Sequence, residues 1–146
     1  MIDLDVADKN ILVVIKLVRG EMDRDDSLIN LRPKVEVDLK KNLPIELFQS
    51  NTLRPILKFQ NQSILRYFKF FIDSFHPKFE HYSSEVKNKT IRNLIKQNTS
   101  VKSKLAHLII AMFTSKELDF YLLNKKEIDK RLNELLIERI NSQLVV

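Results

Sequence analysis

Apolar positions recur most regularly between Thr52 and Phe75. At about 100° per residue, Leu57, Ile64, Phe68, Phe71 and Phe75 fall within about 60° of Leu53 on a helical wheel. Ile56 and Tyr67 border this stripe, and Phe59, Phe70, Leu65 and Ile72 widen it. Only a strip with Lys58, Gln62, Arg66, Lys69 and Asp73 stays polar. A helix apolar around about two-thirds of its circumference is touched on several sides, so the pattern predicts a central helix over 52–75. Asn51 is suited to cap its start, and Pro55 falls at the end of the first turn, where a missing N–H costs least. Gln60 lies inside the apolar arc, with Asn61 and Arg54 together on its flank.

Further helices follow. "SSEVKNKTIRNLIKQN" turns Ile91, Leu94 and Ile95 inward, and "SVKSKLAHLIIAMF" repeats Val101, Leu105, Leu108, Ile109 and Met112 at 3–4 spacing. Thr114 with Glu117 has the form of a capping box, and Asn124 with Glu127 resembles one with an asparagine cap. The last helix runs to about Leu144 with Ile128, Leu132, Leu135, Leu136 and Ile140 inward. Residues 1–43 are less regular. "KNILVVIKLV" is rich in β-branched residues and reads equally as a strand or a buried helix. "GEMDRDDS" reads as a solvated turn, and "PKVEVDL" alternates like a short half-buried strand. The expectation is an all-α single-domain helical bundle over 44–146, with an irregular or short β N-terminal arm over 1–43.

Composition narrows the chemistry. One glycine and four prolines supply too few turns for an all-β fold. No cysteine is present, which excludes disulfides, thiolate metal sites and a cysteine nucleophile. The first residues carry acids where a secretory signal carries positive charge, and the longest apolar run falls short of a membrane span, so the expected location is the cytoplasm. The net charge of +6 is concentrated in residues 51–110, which hold 11 Lys and Arg against 3 Asp and Glu.

No glycine-rich phosphate loop, nucleophile elbow or metal-ligand spacing occurs. His76, Glu80 and His81 form the nearest thing to a metal pattern, and their spacing reads better as a surface turn. The rings of "RYFKFF" read as core rather than as a cofactor box. The cluster Arg54, Gln60 and Asn61 is the best candidate for specific chemistry. Its structural reading is a buried polar network, and its functional reading is a pocket for a small anionic or amide-bearing ligand. Lys89, Arg92 and Lys96, continued by Lys102 and Lys104, form a candidate nucleic-acid face, but without interleaved aromatics. Ile137 and Leu144, running into Val145 and Val146, make a second apolar row on the last helix and a candidate homodimer surface.

"FQSNTLRPILKFQNQ", then "FTSKELDFYL" and "RLNELLIERINSQL", resemble a group of small bacterial proteins, common in the Bacteroidetes, that sometimes carry the label glyoxalase. The likeness covers roughly residues 44–144, is most specific in TLRPILKFQN, and implies no activity. The label itself conflicts with the residues. A metal-chelating glyoxalase needs paired sheets with His and Glu ligands, and the metallo-hydrolase type needs a dense histidine motif. The favoured reading is a non-catalytic interaction or regulatory module, acting as a homodimer. The alternatives are a nucleic-acid-associated protein using residues 51–110, or a ligand-binding protein or enzyme with its pocket at Arg54, Gln60 and Asn61.

Overall fold

The computed structural model describes residues 6–20, 23–35 and 43–145, and they form an all-α fold. Its helices are α1 (Val6–Arg19), α2 (Arg24–Leu31), α3 (Pro44–Phe48), α4 (Arg54–Phe59), α5 (Asn61–Phe75), α6 (Ser84–Gln97), α7 (Thr99–Ile110), α8 (Ser115–Leu123) and α9 (Lys125–Leu144). No described residue is in a strand, and among the described residues no helix is long and apolar enough to cross a membrane. The strand alternative for Lys9–Val18 is therefore replaced by α1. The solvated turn over Gly20–Ser27 gives way, from Arg24, to α2. Asp23 caps α2 by accepting the Asp26 amide at 2.8 Å, and Asp25 and Asp26 complement the positive end of the helix. Most of the alternating segment 33–39 lies outside the described residues; Pro33–Val35 has no regular structure.

The predicted central helix begins earlier than expected and is jointed. α3 passes through a π turn, Gln49–Leu53, into α4, so Asn51 is interior to the turn and caps nothing. Proline explains this. Its ring collides with the carbonyl four residues back and it has no N–H to donate. A π turn widens the helix at that point, and the Arg54 amide reaches the carbonyl of Gln49, five residues back. At Gln60 the backbone departs from helical values (φ −87°, ψ 5°), separating α4 from α5. Ile56, Leu57, Ile64, Phe68, Phe71 and Ile72 are buried along these two helices. Phe59, Phe70 and Phe75 are exposed, so the buried arc is narrower than the wheel suggests.

α9 shares the axial position. It packs on α6, α7, α8 and the π turn. Leu135, Leu136 and Ile137 are buried in succession, as a helix must show when it is covered on both sides. Ile137, at 2% exposure, therefore belongs to the core, Leu144 and Val145 are half-buried against it, and Val146 lies outside the described residues. The cap signals are mixed. Thr114 and Glu117 form the full capping box at α8, whereas Asn124 makes no side-chain cap and instead donates to the Phe120 carbonyl at 3.0 Å.

α2 is fastened to the body at the α7–α8 turn. Arg24 donates to the carbonyls of Phe113 and Ala111, both at 3.0 Å, and Asp25 accepts from the Ser115 amide at 3.1 Å. Arg32, its side chain 7% exposed, places both terminal nitrogens on Glu117 at 2.7 and 2.6 Å and also reaches the Met112 carbonyl. Thr52 donates to the same carboxylate at 2.6 Å. Burial alone would raise the Glu117 pKa, but the bonds from Arg32, Thr52 and the Thr114 amide outweigh it and hold the group down at about 2. The pair joins segments 85 residues apart.

Candidate functional site

The Arg54, Gln60 and Asn61 cluster separates into two parts. Gln60 is half-buried at the helix joint and donates from Nε2 to the Leu108 carbonyl on α7 at 2.9 Å. That is the structural duty: the amide fills a carbonyl of a neighbouring helix. Gln60→Ala is expected to lower stability by about 1 kcal/mol in urea unfolding, the net worth of one such bond.

Asn61 looks the other way, toward α9. Its Nδ2 donates to Gln143 Oε1 and its Oδ1 accepts from Gln143 Nε2, both at 2.8 Å. The same Oδ1 accepts from Arg139 at 3.2 Å. These bonds fix Arg139 at the edge of a polar cleft of about 270 Å³, whose other wall carries Arg54. Burial, and then the neighbouring charge of Arg54, lowers the Arg139 pKa from its ordinary value, while Glu138 acts in the opposite sense. No ion pair involves Arg54 or Arg139 among the described residues. Arg139 was not legible from sequence as a partner of Arg54. The available signal was the four-residue spacing of Arg139 and Gln143, which puts both on one flank of α9.

A second hollow of about 410 Å³ lies between α7, α8 and α9, with an apolar floor that includes Ala106, Ile110, Leu118 and Leu122. At its edge the Tyr121 hydroxyl donates to Asp129, and Lys125 donates to the other oxygen of that carboxylate at 2.6 Å. Burial and the Asp129 carboxylate push the phenol above its ordinary pKa, so it stays protonated. His107 Nδ1 lies 2.6 Å from the Ser103 carbonyl, which only accepts, so Nδ1 carries the proton. That nitrogen also faces the Ser103 hydroxyl, at 3.3 Å, and in this tautomer it does not act as the base a serine nucleophile needs.

The residues of the candidate nucleic-acid face are mostly engaged. Lys89 pairs with Glu85 at 3.7 Å, and Arg92 and Lys96 share Glu134 at 3.4 and 2.6 Å. These contacts, the one to Lys96 foremost, hold the Glu134 pKa below its ordinary value. Lys104 lies over the Phe71 ring. Lys96 and Lys102 do meet across a cleft, joined by Lys126 and Lys130 of α9, but Asp129 and Glu134 line it too. At the other histidines, His76 Nδ1 is 3.5 Å from the Tyr82 hydroxyl, and among the described residues no group of three or more His, Asp or Glu gathers around a metal position.

The exposed face of α1 is the feature that sequence reading missed. Lys16 pairs with Asp26 of α2 at 3.6 Å. Val13 and Lys16 are half-buried, while Ile11, Val14, Ile15 and Val18 are exposed, Val18 at 82% and Ile11 at 58%. These four share one helix face by their 3- and 4-residue spacing. The helix thus leaves an aliphatic face to solvent, where an ordinary surface helix presents polar residues.

No protein-family model, characterised protein or solved structure matches the chain.

Proposed function

We propose that this protein is a non-catalytic interaction module that associates with a second copy of itself through α1. The observation that carries the reading is the outward aliphatic face of α1. Contiguous exposed apolar surface on a folded domain is a mark of an interaction site. The face is also self-complementary. In an antiparallel pair centred between Val14 and Ile15, Ile11 of one copy meets Val18 of the other, and Val14 meets Ile15.

Tyr121, held protonated by burial and Asp129, and Asp129, tied to Tyr121 and Lys125, support a role without catalysis at that hollow. The likeness of TLRPILKFQN to the Bacteroidetes group brings no activity that competes with this reading. The pairing of Lys89, Arg92 and Lys96 with carboxylates counts against a nucleic-acid role.

A helix of 14 residues spans about 21 Å. It covers less than the ~800 Å² per partner of a standard interface, so the dimer is expected to be weak and dependent on concentration. Sedimentation equilibrium from about 1 to 100 μM is expected to show the mass rising from monomer toward dimer, in the range where weak interfaces respond. Ile11→Glu with Val18→Glu is expected to hold the protein monomeric with unchanged helicity, because both side chains face solvent in the protomer. A wild-type protein that stays monomeric throughout overturns the reading. If it also pellets with anionic lipid vesicles, the face belongs to a membrane surface instead.

A further inference from the structure

We propose that the cleft between α4 and α9 is a binding site for a small oxyanion, a phosphate or carboxylate group held by Arg54 and Arg139. The site is independent of the α1 interface, and four observations support it.

First, two guanidinium groups border one polar cleft, and neither has a carboxylate in ion-pair contact among the described residues. Like charges placed together disfavour each other, and an anion between them removes that cost. Second, one of the two guanidinium groups is held in place by the protein. Arg139 is half-buried, and its direction is fixed by Asn61, whose amide is in turn locked by the reciprocal bonds with Gln143. A guanidinium held in place before the ligand arrives loses little freedom on binding. Third, the cleft has the right scale. A volume of about 270 Å³ suits a ligand of a few heavy atoms rather than a cofactor or a peptide. Fourth, the ligand chemistry follows from the donors. Two planar forks match the paired oxygens of carboxylate or phosphate, and the single lining carboxylate, Glu138, leaves the cleft with net positive charge. Ser142 spends its hydroxyl proton on the Arg139 carbonyl at 2.8 Å, so its oxygen is left as an acceptor and favours an anion that carries a proton of its own.

The site gives the TLRPILKFQN segment a use that the bundle itself does not require. Gln60 fixes the joint between α4 and α5. That joint sets Asn61 against Gln143, and Asn61 aims Arg139 at the cleft that Arg54 completes.

The test is thermal unfolding of the full chain with sodium phosphate and, separately, sodium malonate, at ionic strength held constant with sodium chloride. One anion or both are expected to raise the Tm in a saturable way, by about 4 °C at tenfold over the Kd. The anion that acts at lower concentration identifies the ligand group as phosphate or carboxylate. Arg54 is exposed and makes no hydrogen bond within the described protein, so Arg54→Gln is expected to fold normally and to weaken the apparent affinity at least tenfold. Arg54→Lys, which keeps the charge and loses the fork, is expected to fall between the two. Lys69→Gln, an equal change of net charge elsewhere, is expected to leave the response intact. No rise with either anion overturns the proposal, as does an equal rise in Arg54→Gln.

Discussion

Arg32→Ala is expected to destabilise the protein by about 3–5 kcal/mol, the cost of leaving one member of a buried charge pair without its partner. The change strands Glu117 beside Thr52 and removes a bond to the Met112 carbonyl, which leaves α2 held at the α7–α8 turn by Arg24 and Asp25. Urea unfolding measures the loss; a change below about 1 kcal/mol would place Arg32 among ordinary surface ion pairs. The same hub sets the acid sensitivity. Glu117 has a folded pKa of about 2 against an ordinary value of 4.5, so folding favours its ionised form. Its contribution is complete above about pH 4.5 and is lost as the pH falls toward 2. The size is on the order of 3 kcal/mol, because each tenfold gain in acidity on folding is worth about 1.36 kcal/mol. Glu117→Gln is expected to be less stable than wild type at pH 7 and to lack this part of the acid dependence. Parallel urea titrations at pH 7, 4 and 3 would show the two curves converging.

This hub was hidden in the sequence for a physical reason. Glu117 was legible as the capping-box partner of Thr114, and it does accept the Thr114 amide at 2.9 Å. Nothing local reveals that its carboxylate also receives Arg32 and Thr52, because those contacts depend on how distant segments pack. Where apolar spacing decides burial, sequence and structure largely agree: Ile91, Leu94, Ile95, Val101, Leu105, Ile109 and Met112 are buried, Leu108 of the same series is half-buried, and the all-α fold follows from that periodicity. α1 breaks the pattern. Its run of valines and isoleucines satisfies several periods, and the inward-is-apolar assumption fails when a helix turns its aliphatic side to solvent. Asn51 misled for another reason, since a cap signal presumes that the helix starts there, and the π turn before Pro55 carries the helix back to Pro44. Of the candidate cluster, Arg54 borders the cleft and Asn61 acts on it only through Arg139 and Gln143. Their division of labour with Gln60 was not legible, because it depends on which neighbouring helix each amide meets.

Phe113→Ala is expected to cost a similar 3–5 kcal/mol, through the lost burial of a ring and the cavity left behind. Phe113 is 1% exposed in the turn between α7 and α8. Its ring meets Phe48 of α3 edge-on at 5.4 Å and Tyr121 of α8 at 5.6 Å. Phe48 in turn stacks on Phe120 at 5.1 Å. The ring therefore wedges α3 against α8, while the backbone around it offers the carbonyls that Arg24 and Arg32 grip. This makes the cluster and the clasp two sides of one turn, and their energies should not add. Once the ring is gone, the turn no longer holds its carbonyls in place, and Arg32 has less left to lose. In a double-mutant cycle, Arg32→Ala with Phe113→Ala is expected to cost less than the two single changes together by about 1 kcal/mol or more, as for neighbours sharing partners. Additivity within about 0.5 kcal/mol would mean that α2 is anchored by charge alone and that the aromatic wedge serves only α3 and α8.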